Sequence, residues 1–340
     1  MELRVAFASM LISASAAANP GAHAGQFAYV ADADGDRVVV VDLASPSVTG
    51  SIAVGRRPID LLLDPSTARL YVANNSDDSI SVVDTADHSI VATVTGLTDV
   101  HGLAMNASGT RLFVAAYDFV QEIDTTTNRP VGARLPVAAG PCLLVTGKPA
   151  VDPSGYTVYV PVADCMFPFE LPGMLAIIDV RDPAAVAEVE VGAYPTGATL
   201  DVAHHRVYVT NWFDGSISVV DTRDQVVVDT LPVGEYAYPT VTAADPAVEH
   251  LYVTENGSGG VRVIDTATGA ISGDAIDVGA AAFGIALSSD GARAYVGKQT
   301  GDFMTIDTAT RRVLGEPLAI GGNLVALALA GDNLFCDGFD

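Results

Sequence analysis

Basic residues are scarce in this chain: 17 Lys and Arg stand against 41 Asp and Glu in 340 residues, a formal net charge of -24. Such an excess of acid excludes a general nucleic-acid binder, whose phosphate contacts need clustered Lys and Arg. Charge is also sparse overall, 17% against 49% hydrophobic residues, which excludes a disordered chain. No apolar run reaches the ~18 residues of a membrane-spanning helix. A single Trp excludes a cofactor made by cross-linking two tryptophans of this chain. No nucleophile elbow, phosphate loop or zinc-ligand spacing is present.

The start of the chain reads as a secretory signal peptide over residues 1–24, with Arg4 near the start, an apolar stretch from Val5 to Ala18 and a small-x-small site at Ala22-His23-Ala24. Export to a periplasm or to the medium follows. Residues 332–340 form a short polar and aromatic tail, leaving 25–331 for the folded domain.

An aromatic-Val pair recurs through that domain, at Tyr29-Val30, Tyr71-Val72, Phe113-Val114, Tyr159-Val160, Tyr208-Val209, Tyr252-Val253 and Tyr295-Val296. An apolar-Asp pair follows each, at Asp42, Asp84, Asp124, Asp179, Asp221, Asp265 and Asp307. Residues 79–85 and 216–222 both spell SISVVDT. Each copy holds four short segments rich in Val, Ile and Thr, separated by turn residues, which is strand chemistry. Four strands in a repeat of roughly 40–45 residues predict a β-propeller blade. The expected fold is therefore all-β, a seven-bladed β-propeller of four-stranded antiparallel blades. The mature chain begins at a second strand, so the missing first strand is expected from Leu324 to Ala330, and one blade is built from both chain ends. That arrangement hides two sheet edges.

Tyr208-Val209-Thr210-Asn211 is the YVTN phrase, with Tyr71-Val72-Ala73-Asn74 and Tyr252-Val253-Thr254-Glu255 as close variants. The chain resembles the YVTN-repeat β-propellers over residues 26–330. The resemblance implies an exported bacterial protein and spans several activities: surface proteins, periplasmic binding proteins, propeller subunits of redox enzymes and, in the wider fold group, lactonases. It speaks for fold and hardly for activity.

Many polar residues are explained by the repeat alone. The Asp-Thr step after the third strand suits the tight turn that follows, because both side chains bond backbone amides. His204, His205 and His250 precede second strands in turn positions, so no metal site is assigned to them. Asp32-Ala33-Asp34-Gly35-Asp36 resembles the opening of a calcium loop but lacks the trailing bidentate acid; an acidic hairpin is the reading, with Ca2+ the alternative.

Other residues exceed the repeat. Loops joining second to third strands, and fourth strands to the next blade, lie on one face and vary in length. They carry Tyr117, Phe119, Phe167, Phe169, Tyr194, Trp212, Phe213, Tyr236, Tyr238 and Phe283, a concentration of aromatics that suggests a binding face. Asn75, Arg57, Lys148 and Lys298 fall on the same loops among more numerous acids, which suits neutral or cationic polar ligands. The two longest loops each hold a cysteine, Cys142 and Cys165, flanking one hairpin; in an exported protein a disulfide between them is expected, stabilising by about 3 kcal/mol if unstrained. Cys336 is then the odd thiol. For catalysis the candidates on this face are His101, Arg56 and Glu255, with His101 standing where other repeats have Pro58, Pro195 and Pro239. The residues point to a non-catalytic binding or scaffold protein that takes a protein or a small polar ligand on the loop-rich face. A lactonase-like hydrolase or lyase at the central opening, and a propeller subunit of a periplasmic redox complex, are the alternatives.

Overall fold

The computed structural model describes residues 27–64, 66–137, 144–164, 171–245, 247 and 249–330. The expected signal peptide, Cys142, Cys165, Phe167, Phe169 and the tail with Cys336 lie outside these residues. The chain forms seven antiparallel sheets in a ring. In chain order, blades two to seven span 58–94, 100–136, 144–193, 195–232, 239–277 and 282–319. Blade one joins the two ends: Phe27–Asp32 pairs with Arg37–Asp42 on one side and with Leu324–Ala330 on the other. Two blades depart from four unbroken strands. The first strand of blade four is split into Leu144–Thr146 and Ala150–Val151, and the last of blade six into Ala270–Ile271 and Ile276–Asp277. Among the described residues no helix is long and apolar enough to cross a membrane.

The aromatic-Val pair explains why the ring holds. Successive side chains of a strand point to opposite faces, so each pair reaches both neighbouring blades. Tyr29 packs forward with Leu61 and Val72 of blade two, whereas Val30 packs back with Phe303 of blade seven. Tyr71 packs forward with Leu103 of blade three, and Phe113 with Val158 of blade four. Tyr159, Tyr208, Tyr252 and Tyr295 continue the pattern, and Tyr295 returns to blade one. Second strands are thus buried on both faces, while fourth strands such as Val226–Pro232 are exposed along most of their length.

The tyrosine hydroxyls reach the Asp-Thr turn of the next blade. The Tyr29 hydroxyl donates to the Thr85 carbonyl at 3.4 Å and lies 3.3 Å from His88 Nε2. The Tyr208 hydroxyl approaches the Thr266 carbonyl at 3.5 Å. Tyr71 is the exception: its hydroxyl is buried without a partner. Burial pushes the Tyr29 and Tyr71 hydroxyls up to about 12.

The motif asparagines are structural as well. Asn211 Nδ2 donates to Ser216 and Ser218 hydroxyls at 3.0 and 2.9 Å, and Asn74 does the same to Ser79 and Ser81. The two serines of SISVVDT are therefore the partners of the YVTN asparagine. Gly192 leaves room for it, since a Cβ there would meet the Asn211 amide at 2.6 Å. Ring closure has its own lock. The buried Asp32 carboxylate accepts from the amides of Gly35 (3.0 Å) and Asn323 (3.2 Å) and pairs with Arg37 Nε at 2.9 Å. The residue that begins the calcium-like sequence thus spends its oxygens on its own hairpin and on one bond that joins the chain ends.

The Asp residues after the third strands behave as turn formers. Asp221 accepts from the amides of Arg223 and Asp224, both at 2.8 Å, and Asp265 and Asp307 accept from Thr268 and Thr310. These amide bonds hold Asp124, Asp221, Asp265 and Asp307 below the ordinary carboxylate range. Asp179 is held at about 2, first by the Arg181 side chain and then by its amide.

Two predictions follow from this packing. Tyr29→Phe loses real hydrogen-bond partners and destabilises by about 1 kcal/mol, whereas Tyr71→Phe removes an unpartnered buried hydroxyl and is neutral or stabilising; urea denaturation midpoints of the two variants separate them. Carboxylates with depressed folded pKa values contribute stability above their unfolded value, near 3.8, and lose it as pH falls through the folded value, about 2 for Asp179. The urea midpoint is expected to fall between those limits, and Asp179→Asn to make the fall shallower.

Candidate ligand-binding site

The innermost strands converge on the ring axis, and each is irregular where it enters from the loop-rich face. The ladder skips a residue between Pro58 and Asp60, Val100 and Gly102, Pro195 and Gly197, Ala282 and Gly284, and opposite Ala31 and Asp32; between Pro239 and Thr242 it skips two. A bulge of this kind re-aims its extra side chain. Ile59, His101, Thr196, Thr240, Phe283 and Val325 are those residues, and Lys148 occupies the break in blade four. All seven, one from each blade, line a single cavity of about 540 Å³ at the channel mouth.

The residue before the first strand is strained in five blades. Arg57, Asp99, Tyr194, Tyr238 and Ala281 have φ of 53°, 50°, 54°, 50° and 66°. Each carbonyl accepts from the amide that follows the second strand: Asn75 to Arg57 at 3.0 Å, Tyr117 to Asp99 at 3.1 Å, Trp212 to Tyr194 at 3.0 Å, Asn256 to Tyr238 at 3.1 Å and Gln299 to Ala281 at 2.9 Å. A left-handed non-glycine residue costs about 1–3 kcal/mol, and such strain collects at ligand sites. Glycine would relieve it. Arg, Asp and two Tyr stand there instead, with side chains around the mouth.

The walls differ in chemistry. On blades two to four Lys148 Nζ lies 3.2 Å from Asp60 Oδ1, and Asp60 Oδ2 accepts from the Leu103 amide at 2.8 Å. Gly102 makes this approach possible, because a Cβ there would meet Lys148 Cα at 2.6 Å. Above the pair runs a polar chain. Arg57 Nη1 donates to Asn75 Oδ1 at 3.3 Å, Asn75 Nδ2 donates to Asp99 Oδ1 at 2.8 Å, and His101 Nε2 lies 3.0 Å from Asp99 Oδ2. On blades five and six the wall is threonine. The Thr210 hydroxyl lies 3.1 Å from that of Thr196 and donates to the Thr240 carbonyl of blade six at 3.0 Å, and Thr254 donates to the Phe283 carbonyl of blade seven at 2.6 Å, so the Thr of the YVTN phrase and of its variant ties blade to blade. Blades seven and one add Phe283, Ile285, Val325 and Leu327.

Beside Tyr194 an aromatic shelf continues out of the cavity. The Trp212 ring stacks on Tyr238 with centroids 4.5 Å apart and planes 21° apart, and lies 5.7 Å from Tyr194 and 6.4 Å from Phe213. Tyr236 packs edge-on against Tyr238 and is 67% exposed. Burial raises the Tyr194 hydroxyl above its usual range.

The sequence-predicted residues fall into three groups. His101, Arg57, Asn75, Tyr194 and Phe283 line the cavity, and Trp212, Phe213, Tyr236 and Tyr238 form the shelf. Arg56, Glu255 and Lys298 are elsewhere. Arg56 turns outward to Asp77 at 2.6 Å, the buried Glu255 pairs with Arg262 at 2.7 Å and with Ser258, and Lys298 faces Asp302 at 3.7 Å. The three catalytic candidates are therefore not gathered at one place: Glu255 holds the position that Asn74 and Asn211 hold in other blades and does their structural work. Phe119 is a correction to the face as well. It opens the third strand Phe119–Asp124, is buried in a blade core and lies under Arg134 at 4.1 Å. Tyr117 stays in its turn, where its amide bonds Thr98 and Asp99 carbonyls. Sequence reasoning missed Asp60, Asp99, Thr196 and Thr240. Asp60 carried a signal, since it stands where other first strands have Gly102, Gly197 and Gly284. On the opposite face His204 and His250 pair with Asp201 (2.8 Å) and Asp245 (3.0 Å). Among the described residues no group of three or more His, Cys, Asp or Glu is arranged to hold a metal ion.

Comparison with known proteins finds no matching family model and no matching curated protein. Solved structures do match. Hydrazine synthase of Kuenenia stuttgartiensis is 18% identical, with a TM-score of 0.65 over 86% of this chain and 92% of its own. A protein of unknown function from Desulfotomaculum acetoxidans is 12% identical, with a TM-score of 0.72 over 90% and 99%. The dihydro-heme d1 dehydrogenase NirN, in complex with DHE, is 14% identical, with a TM-score of 0.63 over 93% and 77%. At these identities the likeness establishes a shared fold only.

The half-buried Lys148–Asp60 pair in the cavity wall gives a further expectation. Lys148→Met takes the cation from the buried Asp60 carboxylate and destabilises by about 1–3 kcal/mol, whereas adding Asp60→Asn restores much of the loss by removing the stranded carboxylate. Thermal or urea unfolding of the single and double variants measures the difference.

Proposed function

We propose that this chain is an exported propeller of the YVTN-repeat type that acts by binding, without catalysis, and takes a small polar ligand at the channel mouth on its loop-rich face. One observation carries the reading: seven re-aimed residues, one from each blade, line a single cavity whose size falls in the roughly 300–1,000 Å³ range of small-ligand sites. The carboxylates of Asp60 and Asp99 already engage neighbouring donors, which suits recognition better than proton transfer.

A second reading has one point in its favour. Two of the three structures compared above carry redox names, hydrazine synthase and dihydro-heme d1 dehydrogenase, and both match over most of this chain. In that reading the chain is the propeller of a periplasmic redox assembly and its loop-rich face meets the partner.

The test is a thermal-shift screen of small polar molecules (sugars, amino acids, carboxylic acids and lactones), followed by NMR of each hit after incubation with stoichiometric protein. A bound ligand raises Tm according to its concentration over Kd. Arg57→Gly relieves a left-handed residue, keeps the fold and is expected to lower the shift at a given ligand concentration, whereas Arg56→Ala leaves it intact. A hit that the protein converts overturns the non-catalytic reading in favour of a hydrolase or lyase. A shift equally lost in both variants, or no hit at all, overturns the site.

A further inference from the structure

We infer that the ligand of the channel mouth is a neutral oligosaccharide, with one sugar held in the cavity and the chain continuing over the Trp212–Tyr238 shelf; this rests on the binding reading above. Three observations converge on that class.

The first is charge. Arg57 and Lys148 line the cavity together with Asp60 and Asp99, so cations and carboxylates are equal in number. A chain of net charge -24 repels polyanions at longer range, and the two cations disfavour a cationic ligand inside.

The second is the mixture of donors and acceptors left at the mouth. The exposed Arg57 guanidinium has five N–H donors, and one goes to Asn75 Oδ1. On the neighbouring blade the Asn323 Oδ1 acceptor, also in the cavity wall, is buried without a partner. A ligand that accepts from the one and donates to the other satisfies both. A hydroxyl does both, and a sugar carries hydroxyls on adjacent carbons. A proline-rich peptide also docks on aromatic grooves, but its prolines have no N–H to offer Asn323.

The third is the shelf. A sugar ring has an apolar face of C–H groups, and its natural support is a flat aromatic ring exposed on one side. Tyr194 belongs both to the cavity wall and to the Trp212 cluster. A chain seated against Arg57 and Asn323 on blades two and one therefore leaves the cavity across Tyr194, on the opposite side, and runs onto Trp212, Tyr238 and Phe213. Short rigid aromatics held in place by strained backbone at Tyr194, Tyr236 and Tyr238 bind at small entropic cost.

Trp212 is the only tryptophan, so its fluorescence reports the shelf alone. The folded domain is titrated with cellohexaose, maltohexaose, xylohexaose and chitohexaose, and with decaproline and citrate as comparators. At least one hexaose is expected to shift Trp212 emission and shield it from acrylamide. Tyr238→Gly is expected to weaken that binding about fivefold to tenfold, consistent with loss of one stacked ring, and Arg57→Gly to weaken it comparably. Binding of citrate or decaproline but of no hexaose overturns the sugar class while leaving a ligand site at the mouth. A hexaose that binds without changing Trp212, and with full affinity in Tyr238→Gly, overturns the shelf. Silence of Trp212 and of Tm towards all four hexaoses overturns the inference, and the screen of other polar molecules then decides the site reading separately.

Discussion

The packing of one aromatic-Val pair per blade against both neighbouring blades is the constraint on which the rest depends. A single four-stranded sheet of this composition would leave two apolar faces in water. Here the aromatic side chain of each second strand fills the gap ahead and the valine fills the gap behind, so no blade has a core of its own and every blade shares two. Such shared cores have no natural end, and only a closed ring satisfies the last face. Blade one supplies the closure by pairing Phe27–Asp32 with Leu324–Ala330 and fastening Asp32 to Asn323.

Closure in turn creates the site. The ring brings seven first strands together at one axis, and each carries a bulge or a break at the loop-rich mouth whose displaced residue faces the channel. The geometry that ends the ladders is thus the geometry that arms the cavity. What fills those positions is unconstrained by the ring itself, which is why Ile59, His101, Lys148, Thr196, Thr240, Phe283 and Val325 differ so widely in chemistry while the aromatic-Val pairs hardly vary.

The acidity divides along the same line. Many carboxylates mark turns, where they bond amides within a few residues and would do so in any propeller of this type. Asp60 and Asp99 differ because their partners come from other blades or other loops. A net charge of -24 therefore says little about the mouth, whose own charges balance.

The sequence by itself determined the fold. The spacing of Tyr29-Val30 to Tyr295-Val296, the Asp-Thr turns and the absent first strand at the start specified seven blades and the mixed closure, because each signal is local and repeats at one period. It also placed His101, Arg57, Asn75, Tyr194 and Trp212 on the right face, since they break that period. Tertiary structure alone decided which of them meet. Arg56 and Arg57 are adjacent in the chain, yet the left-handed turn at Arg57 sends one to the cavity and the other to Asp77. Glu255 looked catalytic and is a strut, because the strand end it occupies points into a blade and meets Arg262. Asp60 and Lys148 are 88 residues apart and touch only because Gly102 lets a third blade's backbone pass between them. A repeat fixes what each blade looks like; contacts across the axis depend on how seven different blades converge, and no single period encodes them.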